Sequence, residues 1–410
     1  MKRLTMMAAL LMAGVLTVQG QITNFDHWFT GGTLRVDYKR EGSARGDSVS
    51  VIRFSDRQAA WYGSRTQLTD PFDNGDYRVE MSDSKSGCVL YSRCYSNLFR
   101  EYKDTPEGRT VDKVFEETLL LPMPRQQVTV TLQRRDADMH FVTQKEFTFI
   151  PGPMMEGRFR PGDAERCGEE IHGDPSVKFD IAVVLQGFEG VDNASIGNTC
   201  RRMLDVLFGK EPYKSHREDF NVYFVKGDAG VEYNTFGIDR YAMTTHLWKL
   251  HEVLGPTPCD HIVVVVNDTV YGGGAIYNFY SVTSLHRMAE YVLPHELGHG
   301  IGGLADEYID ENLSYANLHL TQYEPVEPNI TNLVDFGSKW QLLLPDGTPV
   351  PTPDVSVPRT ENGPLGVYEG AGYSSKGVYR PAMHCMMRDY APFCPVCHKR
   401  LEDVIKLYTR

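Results

Sequence analysis

The segment "FDIAVVLQGF", Phe179 to Phe188, decides the fold of the larger part of the chain. It is an almost continuous apolar run that ends in glycine and phenylalanine, which is typical of a strand buried on both faces of a sheet. The pattern continues with apolar runs at 219–226 and 261–267 and with helical spacing over about 194–208 and 240–254. Strands that alternate with helices predict an α/β domain, which we assign to residues 177–410.

Residues 22–150 follow a different pattern, in which apolar side chains occupy every second position. The alternation is clear in "TLRVDYKR" (33–40), "SVSVIRFS" (48–55), "QQVTVTLQRR" (126–135) and "FVTQKEFTFI" (141–150). A period of two predicts strands with one buried face, so we predict an N-terminal antiparallel β-sandwich. Residues 151–176 are rich in Pro, Gly and charge and predict an interdomain linker. The predicted fold class is therefore mixed, α+β.

The composition bears on the class of protein. The chain has 410 residues, which favours two domains over one. Its 23% charged and 41% hydrophobic residues are an ordinary globular mixture. The net charge is −12, whereas proteins that bind nucleic acids usually present a basic face, so we expect no nucleic-acid partner.

The first twenty residues differ from the rest of the chain. Lys2 and Arg3 precede the apolar run "LTMMAALLMAGVLTV", which is followed by small and polar residues near Gly20. The run of about 15 residues is shorter than the roughly 20 that span a bilayer, so it favours a signal peptide over a membrane anchor. We therefore predict a signal peptide at 1–20 and an exported protein that is periplasmic, cell-surface or extracellular, with no membrane span.

The segment "LPHELGHGIGGLADEY", Leu293 to Tyr308, carries the chemistry. Residues four apart share one face of a helix, so His295 and His299 can direct two imidazoles at one ion. Zinc binds such nitrogens with tetrahedral geometry. Glu296 lies roughly 100° further around the helix, where it suits proton transfer from a water that the metal activates. The spacing predicts the active helix of a zinc hydrolase.

A third zinc ligand is expected after a sharp turn. Four glycines, which are unfavourable inside helices, cluster around and after His299: Gly298, Gly300, Gly302 and Gly303. They predict that the helix stops and that the chain doubles back to bring Asp306 or Glu307 to the metal. We prefer Asp306, with Glu307 as a neighbour that orients a histidine. Pro294 predicts either a kink or a new helix start, and the sequence leaves both open.

The same segment resembles the motif His-Glu-x-x-His-x-x-x-Gly-Leu-x-Asp-Glu-Tyr of the IgA peptidase-type zinc metallopeptidases, secreted bacterial enzymes related to the metzincins. The fixed positions are His295, Glu296, His299, Gly303, Leu304, Asp306, Glu307 and Tyr308. The resemblance covers about 179–410, and residues 22–150 resemble the domain often placed ahead of it. It implies zinc ligation by the two histidines and Asp306, with Glu296 as base. The commonest metzincin pattern places its third ligand one residue earlier, where this chain has Ala305.

The resemblance to metzincins implies a methionine turn beneath the metal. "YRPAMHCMMRDYAPFCPVC" (379–397) offers Met383, Met386 and Met387. A thioether packed under two imidazoles would form a soft, apolar floor. We favour Met386 or Met387 for this position. Each of the three also fits an ordinary core methionine.

The resemblance also implies an edge strand that receives the substrate. "VYGGGAIYNFY" (270–280) precedes the active helix, and Gly272, Gly273 and Gly274 would let a peptide backbone approach closely. A flexible loop is the alternative interpretation of this segment. Four tyrosines are candidates to stabilise the oxyanion, and nothing in the sequence ranks them: Tyr308, Tyr373, Tyr379 and Tyr390.

The eight cysteines permit disulfides in an exported protein. Cys88 and Cys94 lie in one short stretch and are a plausible pair. Three more lie close together near the C-terminus: Cys385, Cys394 and Cys397. With His384 or His398 these three have the spacing of a second, structural zinc site, although the predicted export favours disulfides.

Taken together, these features predict an exported zinc endopeptidase that acts on polypeptides. One alternative is a cell-surface adhesin or glycan-binding protein with a vestigial zinc site, in which the N-terminal domain binds protein or glycan. A second alternative is a zinc amidase that acts on peptidoglycan, because it would use the same chemistry. A binding protein has no need of Glu296, so the complete motif favours an enzyme.

Overall fold

The computed structural model describes residues 24–155, 164–311, 319 and 321–409. The signal peptide predicted at 1–20 lies outside the described residues. Within the part of the chain that is described, no helix is both long and apolar enough to cross a membrane.

Residues 29–149 form two antiparallel sheets. The first has the order β2-β1-β5 and the second β4-β3-β6-β7. The strands are β1 (Phe29–Ser43), β2 (Gly46–Ala60), β3 (Tyr77–Asp83), β4 (Val89–Tyr95), β5 (Lys113–Pro124), β6 (Val128–Arg135) and β7 (Phe141–Phe149). Two short helices, α1 (Phe25–Trp28) and α2 (Leu98–Tyr102), accompany them. The four alternating segments of the sequence lie in β1, β2, β6 and β7, which confirms the antiparallel strands predicted there.

A six-stranded sheet forms the centre of the C-terminal part, in the order β12-β13-β11-β9-β10-β8. Its strands are β8 (Glu165–Glu170), β9 (Phe179–Gln186), β10 (Phe220–Lys226), β11 (His261–Val266), β12 (Gly273–Ile276) and β13 (Tyr280–Ser284). The central strands run parallel, and β8 and β12 are antiparallel edges. The helices are α3 (Asn193–Leu207), α4 (Leu247–Leu254), α5 (Ala289–Gly300) and α6 (Pro395–Tyr408), and a hairpin joins β14 (Tyr368–Ala371) to β15 (Ser374–Arg380). This arrangement confirms a mixed α/β fold.

Two stretches differ from their predicted structure. β8 lies inside the segment 151–176 that we assigned to a linker; its residues are mostly charged, as is common on sheet edges, so no apolar period reveals it. The helix predicted over 240–254 begins only at Leu247. Tyr241 and Met243 instead form bridges to Gly273 and Glu232, because the backbone here pairs with the edge of the sheet.

The N-terminal sheets and the C-terminal sheet share one hydrophobic core. It contains Val36 of β1 and Val79 of β3 together with Val184 of β9 and Ile262 of β11. Buried arginines of the N-terminal sheets also bond across the boundary: Arg35 to the carbonyl of Trp248 at 3.2 Å, Arg57 to the carbonyl of Thr257 at 2.9 Å and Arg93 to Asn278 at 3.2 Å. Because the two parts share an apolar core and hydrogen bonds cross between them, they are expected to move as one body.

The pairing of Cys88 with Cys94 is wrong. Cys94 lies near the end of β4 and Cys88 just before its start, and both thiols are free. Six extended residues separate their Cα atoms by roughly 20 Å, whereas a disulfide needs less than about 7 Å. Cys167 of β8 instead contacts Cys200 of α3 through its thiol.

Two buried aspartates meet near the starts of β9 and β11. The Asp260 carboxylate accepts the amide N–H of Asp180 at 2.9 Å, and Asp180 Oδ1 accepts from Asn221 at 2.8 Å. Asp180 is 0% exposed and Asp260 6%. Burial raises the pKa of Asp180 to about 7, and burial together with the nearby charge of Asp180 raises the pKa of Asp260.

We expect stability to fall as the pH rises from about 4 to about 7, and Asp180→Asn to flatten this dependence. A carboxyl whose pKa is raised on folding stabilises the protein below its unfolded pKa, and the contribution is lost above its folded pKa. The free energy of unfolding should fall by about 1 kcal/mol per pH unit between about pH 4, near the unfolded pKa, and about pH 7, the folded pKa of Asp180. Chemical denaturation measures it, with the exposed Asp346→Asn as control. Equal pH slopes in wild type and Asp180→Asn would contradict the assignment.

Candidate metal centre

Helix α5 carries two of the predicted metal ligands. It begins at Ala289 and continues through Pro294, so the helix does not start anew at the proline. One turn separates His295 from His299, and their Nε2 atoms lie 3.1 Å apart. The helix packs against β12 and β13, where the Ser281 hydroxyl donates to the carbonyl of Glu296 at 3.1 Å. The buried sheet thus fixes the direction in which both imidazoles point.

The chain reverses after α5, as its glycines predict. Gly303 adopts a φ of +61°, which favours glycine, and the amides of Gly302 and Leu304 both donate to the carbonyl of Gly298. The reversal brings Asp306 back to the histidines. Its Oδ1 lies 3.1 Å from Nε2 of His295 and 3.3 Å from Nε2 of His299. The structure therefore brings together the three residues proposed as ligands.

The hydrogen-bond partner of Nδ1 determines which nitrogen of each histidine can bind a metal ion. Nδ1 of His295 lies 2.9 Å from the carbonyl of Met386, and Nδ1 of His299 lies 2.6 Å from that of Leu304. A carbonyl only accepts, so each Nδ1 must carry a proton, and Nε2 is the atom that can lose its proton to a metal and turn a lone pair inward. Backbone carbonyls thus orient the histidines, and the prediction that Glu307 does so is wrong.

The convergence of three acceptors fits a metal ion. Zinc holds nitrogen and oxygen at about 2.0–2.1 Å, so tetrahedral ligands stand about 3.3–3.4 Å apart. The observed separations of 3.1, 3.1 and 3.3 Å are close to that value. Asp306 Oδ1 is buried without a conventional hydrogen-bond partner. His295 and Asp306 are only 8% and 7% exposed, so water cannot satisfy these lone pairs fully.

The electrostatics of the group also favour a cation. Burial opposes the charged form of His299, but the charge of Asp306 outweighs it and raises the pKa of His299 to about 9. Burial alone would raise the pKa of Asp306, yet the two histidines hold it well below its usual range. Both pKa shifts show that the site favours positive charge between these side chains. A bound divalent ion would supply that charge.

Glu296 lies beside the three ligands and is half-buried. Burial raises the pKa of its carboxyl, and the neighbouring histidines oppose the shift. A Cβ atom at Gly273 would lie only 2.9 Å from Glu296 Oε1 and 2.6 Å from Val292. The absence of a side chain at Gly273 therefore leaves room for the carboxylate.

Tyr373 has a role that the sequence did not reveal. Its hydroxyl donates to Asp306 Oδ2 at 2.5 Å, so it holds the third ligand instead of facing a substrate oxyanion. The ring of Tyr308 packs edge-on against it and lines the cleft. Of the other two oxyanion candidates, Tyr379 pairs through its backbone with Thr331, and Tyr390 is 62% exposed and packs on Tyr291.

Met387 lies directly beneath the active helix. A Cβ atom at Gly298 would lie 2.5 Å from its sulfur, so the thioether packs on the helix between the two histidines. Met386 contributes its carbonyl to His295, and Met383 bonds through its amide to the carbonyl of Asn362. Of the three candidate methionines, Met387 thus occupies the position expected for a floor.

The backbone of Gly273, the first residue of β12, does not offer a free edge to substrate. Gly273 donates to the carbonyl of Arg240 at 3.2 Å and accepts from the amide of Ala242 at 3.0 Å. Gly272 and Gly274 make room for the same segment, since a Cβ atom on either would contact a tyrosine side chain within 3 Å. Substrate cannot pair with the backbone of Gly273, but Gly273 and Gly274 line the cleft, so the substrate-binding role of the three glycines stays a prediction. The backbone amide and carbonyl of Ala275 point away from β13, as those of Gly273 do. No described residue hydrogen-bonds the Ala275 backbone on that side.

The metal ligands lie at the floor of a cleft of about 730 Å³. One wall comes from the N-terminal part, around α2, and includes Asp76, Asn97, Arg100, Glu101 and Asp104. Glu101 accepts a hydrogen bond from the hydroxyl of Tyr241, and burial raises its pKa to about 7. Sequence reasoning missed this wall, because only the packing of two distant segments creates it.

Glu307 belongs to a separate, fully buried cluster. Side chains that follow one another in an extended segment point to opposite sides, so Glu307 turns away from the site of Asp306. Its carboxylate meets Cys385, Cys394 and Cys397, with all four ligand atoms within 4.8 Å of one another. His384 and His398, the partners proposed for these cysteines, instead face Asp389 at 2.5 Å and Glu402 at 3.6 Å. Neither histidine joins the group.

Comparisons with known proteins identify the family of this chain. A search of curated proteins finds no match to the chain. Residues 24–146 match the family described as Peptidase M64 N-terminus, and residues 226–363 and 358–405 match IgA Peptidase M64. The matches cover well over half of the chain. The chain therefore belongs to the IgA peptidase M64 family, which makes it a peptidase by family.

Proposed function

We propose that this peptidase is a zinc-dependent endopeptidase. His295, His299 and Asp306 would hold the ion, and Glu296 would act as general base. One observation carries the proposal: three lone pairs converge on a point beside the Glu296 carboxylate, at the floor of an open cleft. When bound there, zinc supplies a Lewis acid that polarises a carbonyl and acidifies water.

The side chains of the protein would perform the remaining steps. The Glu296 carboxylate would accept the proton of the attacking water and return it to the leaving amine, and burial, which raises its pKa, strengthens it as a base. Tyr373 and the carbonyls of Met386 and Leu304 hold the three ligands in place. Met387 supplies an apolar floor under the helix, as in a metzincin-like fold.

The outer edge of β12 would bind the substrate backbone at Ala275. Gly273 is already paired with the segment at 240–242, so the first edge groups directed away from β13 and still unpaired are the amide and carbonyl of Ala275. An extended peptide can pair there as an added strand. The wall around α2 lies on the other side of the cleft and belongs to the two N-terminal sheets, which we interpret as a β-sandwich. Through this wall the N-terminal sheets would take part in substrate binding.

Two alternatives remain distinct from this proposal. A zinc amidase that acts on peptidoglycan would share the metal chemistry, but an edge strand favours an extended polypeptide. A binding protein would have no use for the carboxylate of Glu296. Export forms part of the proposal as well; it rests on the charged start and short apolar run of residues 1–20.

We expect Glu296→Gln to lower kcat/KM for peptides by about 10³-fold while the zinc content stays that of wild type. Glutamine keeps the shape of the side chain but cannot accept the proton. Zinc per chain and cleavage of a mixed peptide library measure the two effects, with His295→Ala as the variant that should lose metal. Wild-type activity in Glu296→Gln would refute the assignment of the base. Cleavage of peptidoglycan but not of peptides would favour the amidase.

Tyr373→Phe is expected to weaken zinc binding by about 10- to 100-fold, because Asp306 loses the hydroxyl that holds its second oxygen. Competition with a chromophoric chelator measures the affinity, and excess zinc should restore most of the activity. Tyr390→Phe, at an exposed ring, is the matched control. An unchanged affinity in Tyr373→Phe would show that the hydroxyl does not position the ligand.

Ala275→Pro should raise KM for peptides about 5-fold, since it removes one amide donor at the substrate edge. Proline is tolerated on an edge strand where the N–H points outward, so zinc content and thermal stability should stay unchanged. Ala275→Ser controls for side-chain size. If the proline variant keeps the wild-type KM, the substrate does not pair with this edge.

A further inference from the structure

We propose that Glu307, Cys385, Cys394 and Cys397 form a second zinc site, which has a structural role. The four side chains converge within 4.8 Å of one another, away from the cleft. Three thiolates and one carboxylate give the four ligands that a closed zinc site requires. Neither the family assignment nor the proposed peptidase function calls for this site.

Burial is the first argument. Each of the four residues is 0% exposed, and Oε2 of Glu307 has no hydrogen-bond partner. Its other oxygen accepts from Asn329 at 2.9 Å and lies 3.2 Å from the sulfur of Cys397. An unpartnered carboxylate oxygen inside the protein is costly unless a cation or proton meets it. Oε2 of Glu307 is this oxygen, and its carboxylate faces the sulfur atoms of the three cysteines.

The local backbone is built to hold thiolates. Cys394 is the N-cap of α6, and Cys397 lies in the first turn of that fourteen-residue helix, where the helix dipole favours negative sulfur. The amide of Cys394 donates to the sulfur of Cys385 at 3.3 Å. Cys385 in turn sits in a tight turn, since its carbonyl accepts from Arg388 and Asp389. Sulfur atoms bound to one zinc stand about 3.8 Å apart. This distance is compatible with the cluster, whose four ligand atoms all lie within 4.8 Å of one another.

A disulfide explains the cluster less well. It would join two of the three sulfurs and leave the third thiol beside a buried carboxylate with an unpaired oxygen. A metal uses all four groups at once. Binding would release the protons of the thiols to solvent and would involve no oxidation.

The second site would also support the first. Glu307 follows Asp306 directly, and its amide donates to the carbonyl of Met387 at 2.8 Å. Arg388 donates to the carbonyl of Glu307 at 2.8 Å. An ion held by Glu307 and Cys385 would thus fix both the segment that carries the third catalytic ligand and the turn that orients His295.

Metal analysis of the purified full-length mature chain tests the proposal. We expect about two zinc ions per chain in wild type and about one in Cys394→Ser, Glu307→Gln or His299→Ala. Cys88→Ser, at an exposed thiol, is the matched control and should keep both. In protein loaded with Co²⁺, the near-ultraviolet thiolate-to-cobalt band should persist in His299→Ala and vanish in Cys394→Ser. That band separates ligation from a merely structural effect of the serine.

Two results would overturn the site. One is a disulfide among Cys385, Cys394 and Cys397 in the unreduced wild type, mapped by mass spectrometry. The other is a wild type whose cobalt spectrum lacks the thiolate band; this measurement needs no variant, so it decides the matter even if Cys394→Ser fails to fold. A single zinc that is retained in His299→Ala and lost in Glu307→Gln would support this site while refuting the proposed catalytic one.

Discussion

The two hydrogen bonds from imidazole Nδ1 to backbone carbonyls are the constraint on which the site depends. They fix the tautomer of His295 and His299, and they leave two lone pairs and one carboxylate oxygen facing a common point. Both carbonyls belong to chain reversals, one just after α5 and one near Met387. The geometry of the metal centre therefore depends on how two loops pack against one helix. The ligand residues alone would not create it.

The hydrophobic core that the N-terminal and C-terminal sheets share fixes the position of one wall of the cleft. Because β1 and β3 pack into the same apolar cluster as β9 and β11, the wall around α2 cannot move freely relative to the active helix. The width of the cleft is then a property of the whole chain. An N-terminal domain joined only by a flexible linker would not provide such a fixed wall.

The sequence revealed the parts of the structure that rest on local patterns. Apolar runs located β9, β10 and β11, and the spacing of His295, Glu296 and His299 together with the glycines placed Asp306 beside the two histidines. Other features depend on distant contacts that leave no local signal. Glu101 reaches the cleft only because the N-terminal and C-terminal sheets pack together, Tyr373 meets Asp306 across 67 positions, and the backbone of Gly273 is covered by residues 240–242. The edge strand β8 is too polar to show a period.

The adjacency of Asp306 and Glu307 has a consequence for how this segment can vary. One peptide unit delivers a carboxylate to each of two buried clusters on opposite sides of the chain. A single inserted or deleted residue would turn both side chains to the wrong side, even if every ligand were kept. The length of the segment between the helix and the carboxylates is thus constrained as strictly as the residues themselves, and a change in length there would disturb both clusters at once.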